Sequence, residues 1–370
     1  MAYRFASDVY RHRLDRARTL TRAAGLDALV VSTGPDLRYL TGSRADTFER
    51  LTALVVPADA DPRLVVARLE LASVRDSALA DLDIEMAAWV DGEDPYAMAL
   101  AGLPAAARVA VCDTMPALHV VPIAARTGAT PALATDVLRE LRMTKDTSEI
   151  DALRHAGAAI DRVHARMGEW LIPGRTERAV ADDIRAAILD EGHSEAAFII
   201  VGSGPHGADP HHEFSDRVIE GDDIVVIDIG GPVDPGYNSD STRTYCFRAP
   251  AADVAEAYAA LQEAQRKAVE AVRPGVTAEA IDAVARDHLR DHGLGDAFIH
   301  RTGHGIGLSV HEEPYIVSGN DIELRAGMAF SVEPGIYFDG RWGARIEDIV
   351  VVTEHGCEPM NTRPHDLQVL

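Results

Sequence analysis

DDIVVIDIGGPVDPGYNSDSTRTY, residues 222–245, and MAFSVEPGIYFDGRWGARIEDIVVV, residues 328–352, each read as two β-rich runs separated by turn formers. Gly230, Gly231, Pro232, Pro235 and Gly236 interrupt the first, and the break in the second lies around Asp339 to Gly343. Residues of an antiparallel pair whose numbers share one sum face each other. Asp228 and Asp240, centred on Asp234, and Glu333 and Glu347, centred on Gly340, are therefore expected opposite one another. Such partners bring their Cβ atoms to roughly 5 Å. Four acids in apolar, β-branched strands are too costly to bury without a cation. A divalent metal pair about 3.5 to 4 Å apart is the natural counter-charge.

The chain has 370 residues, 47% hydrophobic and 26% charged, a composition that suits a globular protein of two domains. Its net charge of -23 argues against nucleic acid and anionic membrane as partners. No apolar run approaches the ~18 residues of a membrane span, and the start MAYRFASDVYRHRLDRA lacks the apolar core of a signal peptide. Cys112, Cys246 and Cys357 form neither a CxxC pair nor a disulfide framework, so a cytoplasmic location is expected.

From the N-terminus, Asp8 to Ala24 has helical spacing and Gly25 stops it. Leu26 to Val31, Leu51 to Pro57, Arg63 to Ala67 and Arg108 to Cys112 read as strands, with helices at Glu70 to Ala78 and Thr135 to Leu141. These make an α/β unit without a dense cluster of catalytic residue types, although Asp36 and Tyr39 have the chemistry to touch a substrate. Asp146 followed by Glu149 signals the start of a new helix and marks the boundary, giving domains over 1–143 and 144–370.

The second part repeats itself. Pro173-Gly174-Arg175-Thr176, running to Gly192, recurs as Pro274-Gly275-Val276-Thr277, running to Gly293. Each copy follows a long amphipathic helix, the second over Val254 to Val272, and each leads into a carboxylate hairpin. The region therefore reads as two halves related by pseudo-symmetry, each supplying two acids. His304 and His311 sit in the glycine-rich RTGHGIGLSVHEEP (301–314), whose Gly303, Gly305 and Gly307 suit a loop that wraps a ligand. His211 and His212 precede Asp228. Any one of the 15 histidines is more often an ordinary core or surface residue, but an imidazole beside such acids suits manganese, cobalt, iron or zinc better than magnesium or calcium.

The segments DIG (228–230), YNSDSTRT (237–244), TGHGIGLSVHEEP (302–314), SVEPGIY (331–337) and RIED (345–348), in that order, resemble the pita-bread metallopeptidases, in particular their aminopeptidase P and prolidase branch. GPDLRYLTG (34–42) resembles that branch's N-domain. The resemblance implies an α/β N-terminal creatinase-like domain followed by an α+β pita-bread catalytic domain with internal pseudo-two-fold symmetry. It further implies that Asp228 binds one metal through both oxygens, that Asp240 and Glu347 bridge the pair, and that His304 and Glu333 complete the other site. By the same likeness Glu333 is the general base, His211 and His311 contact the substrate, and Arg345 supports the site from the strand of Glu347. Two departures stand out: 12 positions separate Asp228 and Asp240 where the family commonly has 11, and Asp36 stands where the family often has asparagine.

The implied reaction is hydrolysis of the bond between an N-terminal residue and a following proline. Its cofactors are two divalent ions, Mn²⁺ foremost, with Co²⁺, Zn²⁺ or Fe²⁺ compatible. Such a pair lowers the pKa of an attacking water and polarises the scissile carbonyl. Short proline-containing peptides are the expected partners, and a homodimer is expected from the resemblance alone. The alternatives are another metal-dependent hydrolase or lyase on the same scaffold, or a non-catalytic binding protein. Creatinase-like hydrolases lack the metal acids, and methionine aminopeptidases usually lack the N-domain.

Overall fold

The structure is a computed structural model that describes residues 4–47 and 49–370. It divides into two compact units, Met1–Arg142 and Met143–Leu370. Among the described residues no helix is long and apolar enough to cross a membrane.

The first unit is built on a six-stranded mixed sheet. Its central strand, Ala28–Ser32, is buried throughout and lies antiparallel to Ala53–Pro57 and parallel to Val109–Val111. The helices expected near the ends are found at Ser7–Ala23 and Thr135–Arg142. The helix expected over Glu70 to Ala78 is instead two 3₁₀ segments, Arg68–Val74 and Ala78–Asp81. Ser77 separates them: its hydroxyl donates to the Val74 carbonyl and accepts from the Leu79 amide, taking backbone groups that a continuous helix needs. Asp36 is buried and paired with Arg142 at 2.6 Å, and the Tyr39 hydroxyl donates to the Leu141 carbonyl, so both are engaged within this unit.

In the second unit the helix Thr147–His164 begins with the expected capping box of Asp146 and Glu149. The two repeat helices are each 14 residues long, Glu177–Asp190 and Ala278–Asp291. Thr176 and Thr277 cap them identically, each accepting from the amide three residues on. Each half keeps its own apolar core. Val180, Ile184 and Ile188 pack on Ile199, Val201, Val225, Ile227 and Ile229, while Leu261, Ile281 and Leu289 pack with Phe330, Val332 and Val350. Burying each such aliphatic side chain is worth roughly 1.5–3 kcal/mol.

That burial aims the acids. Because Val225, Ile227 and Ile229 face the first core, the alternation of the strand Ile224–Val233 sends Asp228 to the opposite face. Likewise Phe330 and Val332, and Ala344 and Ile346, face the second core, which directs Glu333, Arg345 and Glu347 the other way.

The registers differ between the hairpins. Val332 pairs with Asp348 and Gly335 with Arg345, so Glu333 and Glu347 do share the expected centre at Gly340. The hairpin is nevertheless split into a pair in a five-stranded sheet and a separate two-stranded one, Gly335–Phe338 with Trp342–Arg345. Arg345 therefore ends one strand, and Glu347 lies between strands rather than on the same one. Pro334 has no amide to continue the ladder, and the Glu333 and Glu347 amides donate instead to Thr302 and Thr242. In the first hairpin Asp228 pairs with Thr242, and Asp240 with Gly230, so the two aspartates are diagonal neighbours on one face rather than opposed. The turn is Asp234, Pro235 and Gly236, one residue beyond the expected centre. Gly230 is a strand residue, not a turn residue: a Cβ there would lie 2.3 Å from the Ser239 carbonyl.

Candidate metal centre

The two hairpins are stitched together at Thr242. It faces Asp228 across one ladder, bridges to Glu347 across the other, and its hydroxyl donates to Glu347 Oε2 at 2.7 Å. Asp228, Asp240, Glu333 and Glu347 consequently line one pocket of about 380 Å³ together with His211, His304, His311 and Arg345. All nine of the sequence-predicted positions reduce to these eight residues, since Glu333 was expected in two roles. Its other walls include Phe198, Ile200, Val310, His300 and Arg301.

His304 is held in a strand, Gly303–Gly305, laid between two others. A Cβ at Gly303 would fall 1.8 Å from the Ser331 carbonyl, so this glycine serves tight packing of backbone on backbone rather than approach to a ligand. The ring's Nδ1 lies 3.1 Å from the Gly305 carbonyl and must donate to it. Nε2 is then left as a lone pair, 3.3 Å from Glu333 Oε1 and 3.6 Å from Asp240 Oδ2. Burial and the neighbouring His311 push the ring's pKa down to about 3, so it stays neutral.

The acids respond in the opposite sense. Burial, then Asp228 and Glu333, raise Asp240 well above the usual carboxylate range. Burial, then Asp240 and Glu333, do the same to Glu347. Burial pushes Glu333 up to about 7 against the opposing charge of Arg345. Without a cation these acids hold their protons more tightly than ordinary carboxyl groups, whereas a divalent ion would displace them. Asp228 Oδ1 is buried with no hydrogen-bond partner, while Oδ2 accepts from Arg345 Nη2 at 2.5 Å. Asp240, His304 and Glu347 offer ligand atoms within 4.8 Å of one another. An orphaned carboxylate oxygen and an imidazole lone pair aimed at acids both fit a metal.

Arg345 is held from several sides, donating also to Tyr337 Oη at 2.6 Å and Thr242 Oγ at 3.2 Å. Behind it stands His300, which sequence reasoning passed over. Its Nδ1 donates to the Arg301 carbonyl at 2.7 Å, so Nε2 accepts from the Tyr337 hydroxyl at 2.9 Å. Burial and Arg345 lower its pKa to about 3, which keeps that lone pair free. The available signal was its place four residues before His304. Arg301 was missed as well: its guanidinium stacks on Tyr315 at 4.4 Å and donates to His311 Nδ1 at 3.3 Å, and among the described residues it has no carboxylate partner. His311, neutral because burial and Arg301 lower its pKa, therefore carries its proton on Nε2. His211 is exposed at the pocket wall.

The model of metallopeptidase family M24 matches residues 151–354, and that of the creatinase/prolidase N-terminal domain matches residues 13–144. The protein named "Probable dipeptidase PepE" of Mycobacterium bovis is 62% identical over 370 residues, covering 99% of this chain and 98% of its own length. An Xaa-Pro dipeptidase of Lactobacillus delbrueckii subsp. lactis is 34% identical over 366 residues, covering 96% and 98%. Among solved structures, dipeptidase PepE of Mycobacterium ulcerans superposes with a TM-score of 0.95 at 64% identity, covering 99% of each chain.

Proposed function

Because the chain belongs to metallopeptidase family M24, with a creatinase/prolidase N-terminal domain before the catalytic one, we propose that it hydrolyses Xaa-Pro dipeptides using two divalent metal ions. Membership of the prolidase family makes it a peptidase. The observation that carries the finer reading is the donor set itself: Asp228 Oδ1 buried without a partner and the His304 Nε2 lone pair facing Glu333 and Asp240. Asp228, Asp240, His304, Glu333 and Glu347 would hold the ions, with Mn²⁺ first and Co²⁺, Zn²⁺ or Fe²⁺ also suited to mixed carboxylate and imidazole donors. When bound, such a pair supplies an acidified attacking water and polarises the scissile carbonyl.

The chain's own residues then act as follows. Glu333 takes the water's proton and returns it to the leaving nitrogen, the general acid-base task of a carboxylate that lies beside the reacting water. Arg345 fixes Asp228. His311 presents an Nε2 proton to the substrate amide, and His211 faces the same space. Phe198, Ile200 and Val310 offer an apolar wall to the proline ring. The guanidinium of Arg301, which has no carboxylate partner among the described residues, suits the free carboxylate at the end of a dipeptide.

The test is Ala-Pro, Met-Pro, Ala-Pro-Ala and the control Ala-Ala-Ala, assayed with Mn²⁺, Co²⁺ or Zn²⁺ for wild type and Glu333→Ala. Release of the N-terminal residue from Ala-Pro and Met-Pro is expected, weak for Ala-Pro-Ala and for the control, and lost in the variant. Equal cleavage of the control, or none of any peptide with every metal, overturns the reading. Arg301 makes a separate prediction. Arg301→Ala should raise KM for Ala-Pro by roughly tenfold or more, the scale of a hydrogen bond to a charged group, and leave that for the amidated Ala-Pro-NH₂ unchanged. Equal rises for both would remove Arg301 from carboxylate recognition.

A further inference from the structure

Away from the pocket's acids, a second carboxylate lies between two histidines. Glu177 opens the helix Glu177–Asp190 and is fully buried. Its Oε1 accepts from the Ser203 amide at 3.0 Å and the Ser203 hydroxyl at 2.6 Å. Its Oε2 accepts from the Ser215 amide at 2.9 Å, the Ser215 hydroxyl at 2.7 Å and His212 Nε2 at 2.9 Å. His206 Nδ1 reaches both oxygens at 3.1 Å. Glu177, His206 and His212 have the spacing of metal ligands, but the carboxylate's four lone-pair sites are already saturated by these donors. The cluster is a hydrogen-bond knot.

What the knot ties is one loop. Ser203 and Ser215 are its two ends, and both hydroxyl groups also accept from Arg217, through Nη1 at 2.7 Å and the amide at 3.0 Å. The rings of His206 and His212 lie against each other beside the carboxylate, 4.3 Å between centroids and tilted by 39°. Within the loop, the Pro210 carbonyl lies 3.4 Å from the Arg345 guanidinium, and His211 lines the pocket with no hydrogen bond to its ring within the described chain. Adjacent residues thus part company, His212 turning to Glu177 and His211 to the pocket. We propose that Glu177 is the positioning residue of His211, gathering both ends of the loop 203–215 so that the imidazole stands ready for a bound peptide.

This assignment rests on the function proposed above. Burial alone would raise the Glu177 carboxyl, but hydrogen bonds from Ser203 and His212 outweigh it and bring the pKa down to about 2. The anion also sits in the first turn of its helix, where the backbone dipole favours it. The knot is therefore intact at any pH where a peptidase would work. In sequence, Glu177 is indistinguishable from a solvated first-turn acid, which is why only the fold reveals it.

Glu177→Gln preserves the shape but turns an amide NH₂ toward groups that can only donate to the native carboxylate. It should lower kcat/KM for Ala-Pro roughly ten- to hundredfold, with Mn²⁺ stoichiometry and affinity unchanged by calorimetry. The discriminating arm is the cycle with His211→Ala. If Glu177 acts through His211, adding Glu177→Gln to His211→Ala costs nothing further. The same fold-loss in both backgrounds, or full activity in Glu177→Gln alone, overturns the proposal. Should Glu177→Gln fail to fold, Ser215→Ala removes one tie and takes its place in the cycle. If wild type cleaves no peptide with any metal, the functional reading fails, and positioning is judged from hydrogen exchange in Glu177→Gln. Faster exchange at 209–213 with 198–202 unchanged upholds it, and unchanged exchange at 209–213 rejects it.

Discussion

Asp240→Ala is expected to leave a folded protein with peptidase activity reduced by about 10²- to 10³-fold, the scale on which loss of a single preorganised electrostatic contact acts. Asp240 sits among the ligand atoms of His304 and Glu347 and faces the same space as Asp228 and Glu333. In the metal-free protein burial and the neighbouring charges of Asp228 and Glu333 crowd its carboxylate and raise its pKa. Removing it relieves that crowding. The thermal midpoint of the metal-free variant at pH 7.5 should therefore equal or exceed that of wild type. The gain in midpoint on adding Mn²⁺ should shrink sharply, since stabilisation by a ligand follows its affinity for the folded state. A loss of activity with an intact Mn²⁺-induced gain, or calorimetry showing two tightly bound ions per chain in the variant, would refute the role. A large drop in the metal-free midpoint would instead make Asp240 a structural residue.

The residues that build this site differ in how far sequence betrays them. Glu333 and Glu347 could be registered correctly because Asp339, Gly340 and Arg341 form a true turn between Phe338 and Trp342, with Gly340 at its centre at φ 65°. Asp228 and Asp240 were set two residues out of register because glycine carries two meanings. At Gly236, with φ 114°, it marks the turn, whereas at Gly230 it is a strand position too close to Ser239 for any Cβ. Composition cannot separate those uses. The repeat was legible because its capping threonines are local signals, fixed by hydrogen bonds three residues apart. Which strands meet across the two halves was not, since the bridge between Thr242 and Glu347 joins residues 105 apart. His300, Arg301 and Glu177 share that difficulty. Each acts through partners brought in by tertiary structure: Tyr337 for His300, Tyr315 for Arg301, and Ser203 with Ser215 for Glu177.

The stability of the metal-free protein should carry the signature of Glu333. Its pKa is 4.5 as an ordinary side chain and about 7 in the folded pocket, where burial is the largest cause. Between those values the folded state keeps a proton that the unfolded chain has released, so the unfolded state binds fewer protons and stability falls as pH rises. Over that window the loss through this one group is on the order of 3 kcal/mol. Histidines held neutral in the fold work against it, since His164, His300 and His304 are lowered to about 3 and add stability as pH rises toward 6.5. Comparing wild type with Glu333→Gln cancels that contribution. The stability of wild type relative to the variant, from urea unfolding in the presence of a chelator, should drop by about 3 kcal/mol from pH 4.5 to 7.5. A divalent ion reverses the logic, because it binds only the ionised acids. Mn²⁺ binding near pH 6 should therefore release protons, read by calorimetry in buffers of different ionisation heat, and fewer in Glu333→Gln. A wild-type-minus-variant stability that stays flat across the window, or Mn²⁺ binding without proton release, would mean that Glu333 is ionised in the empty pocket, and with it would fall the case that a cation is what completes this cluster of acids.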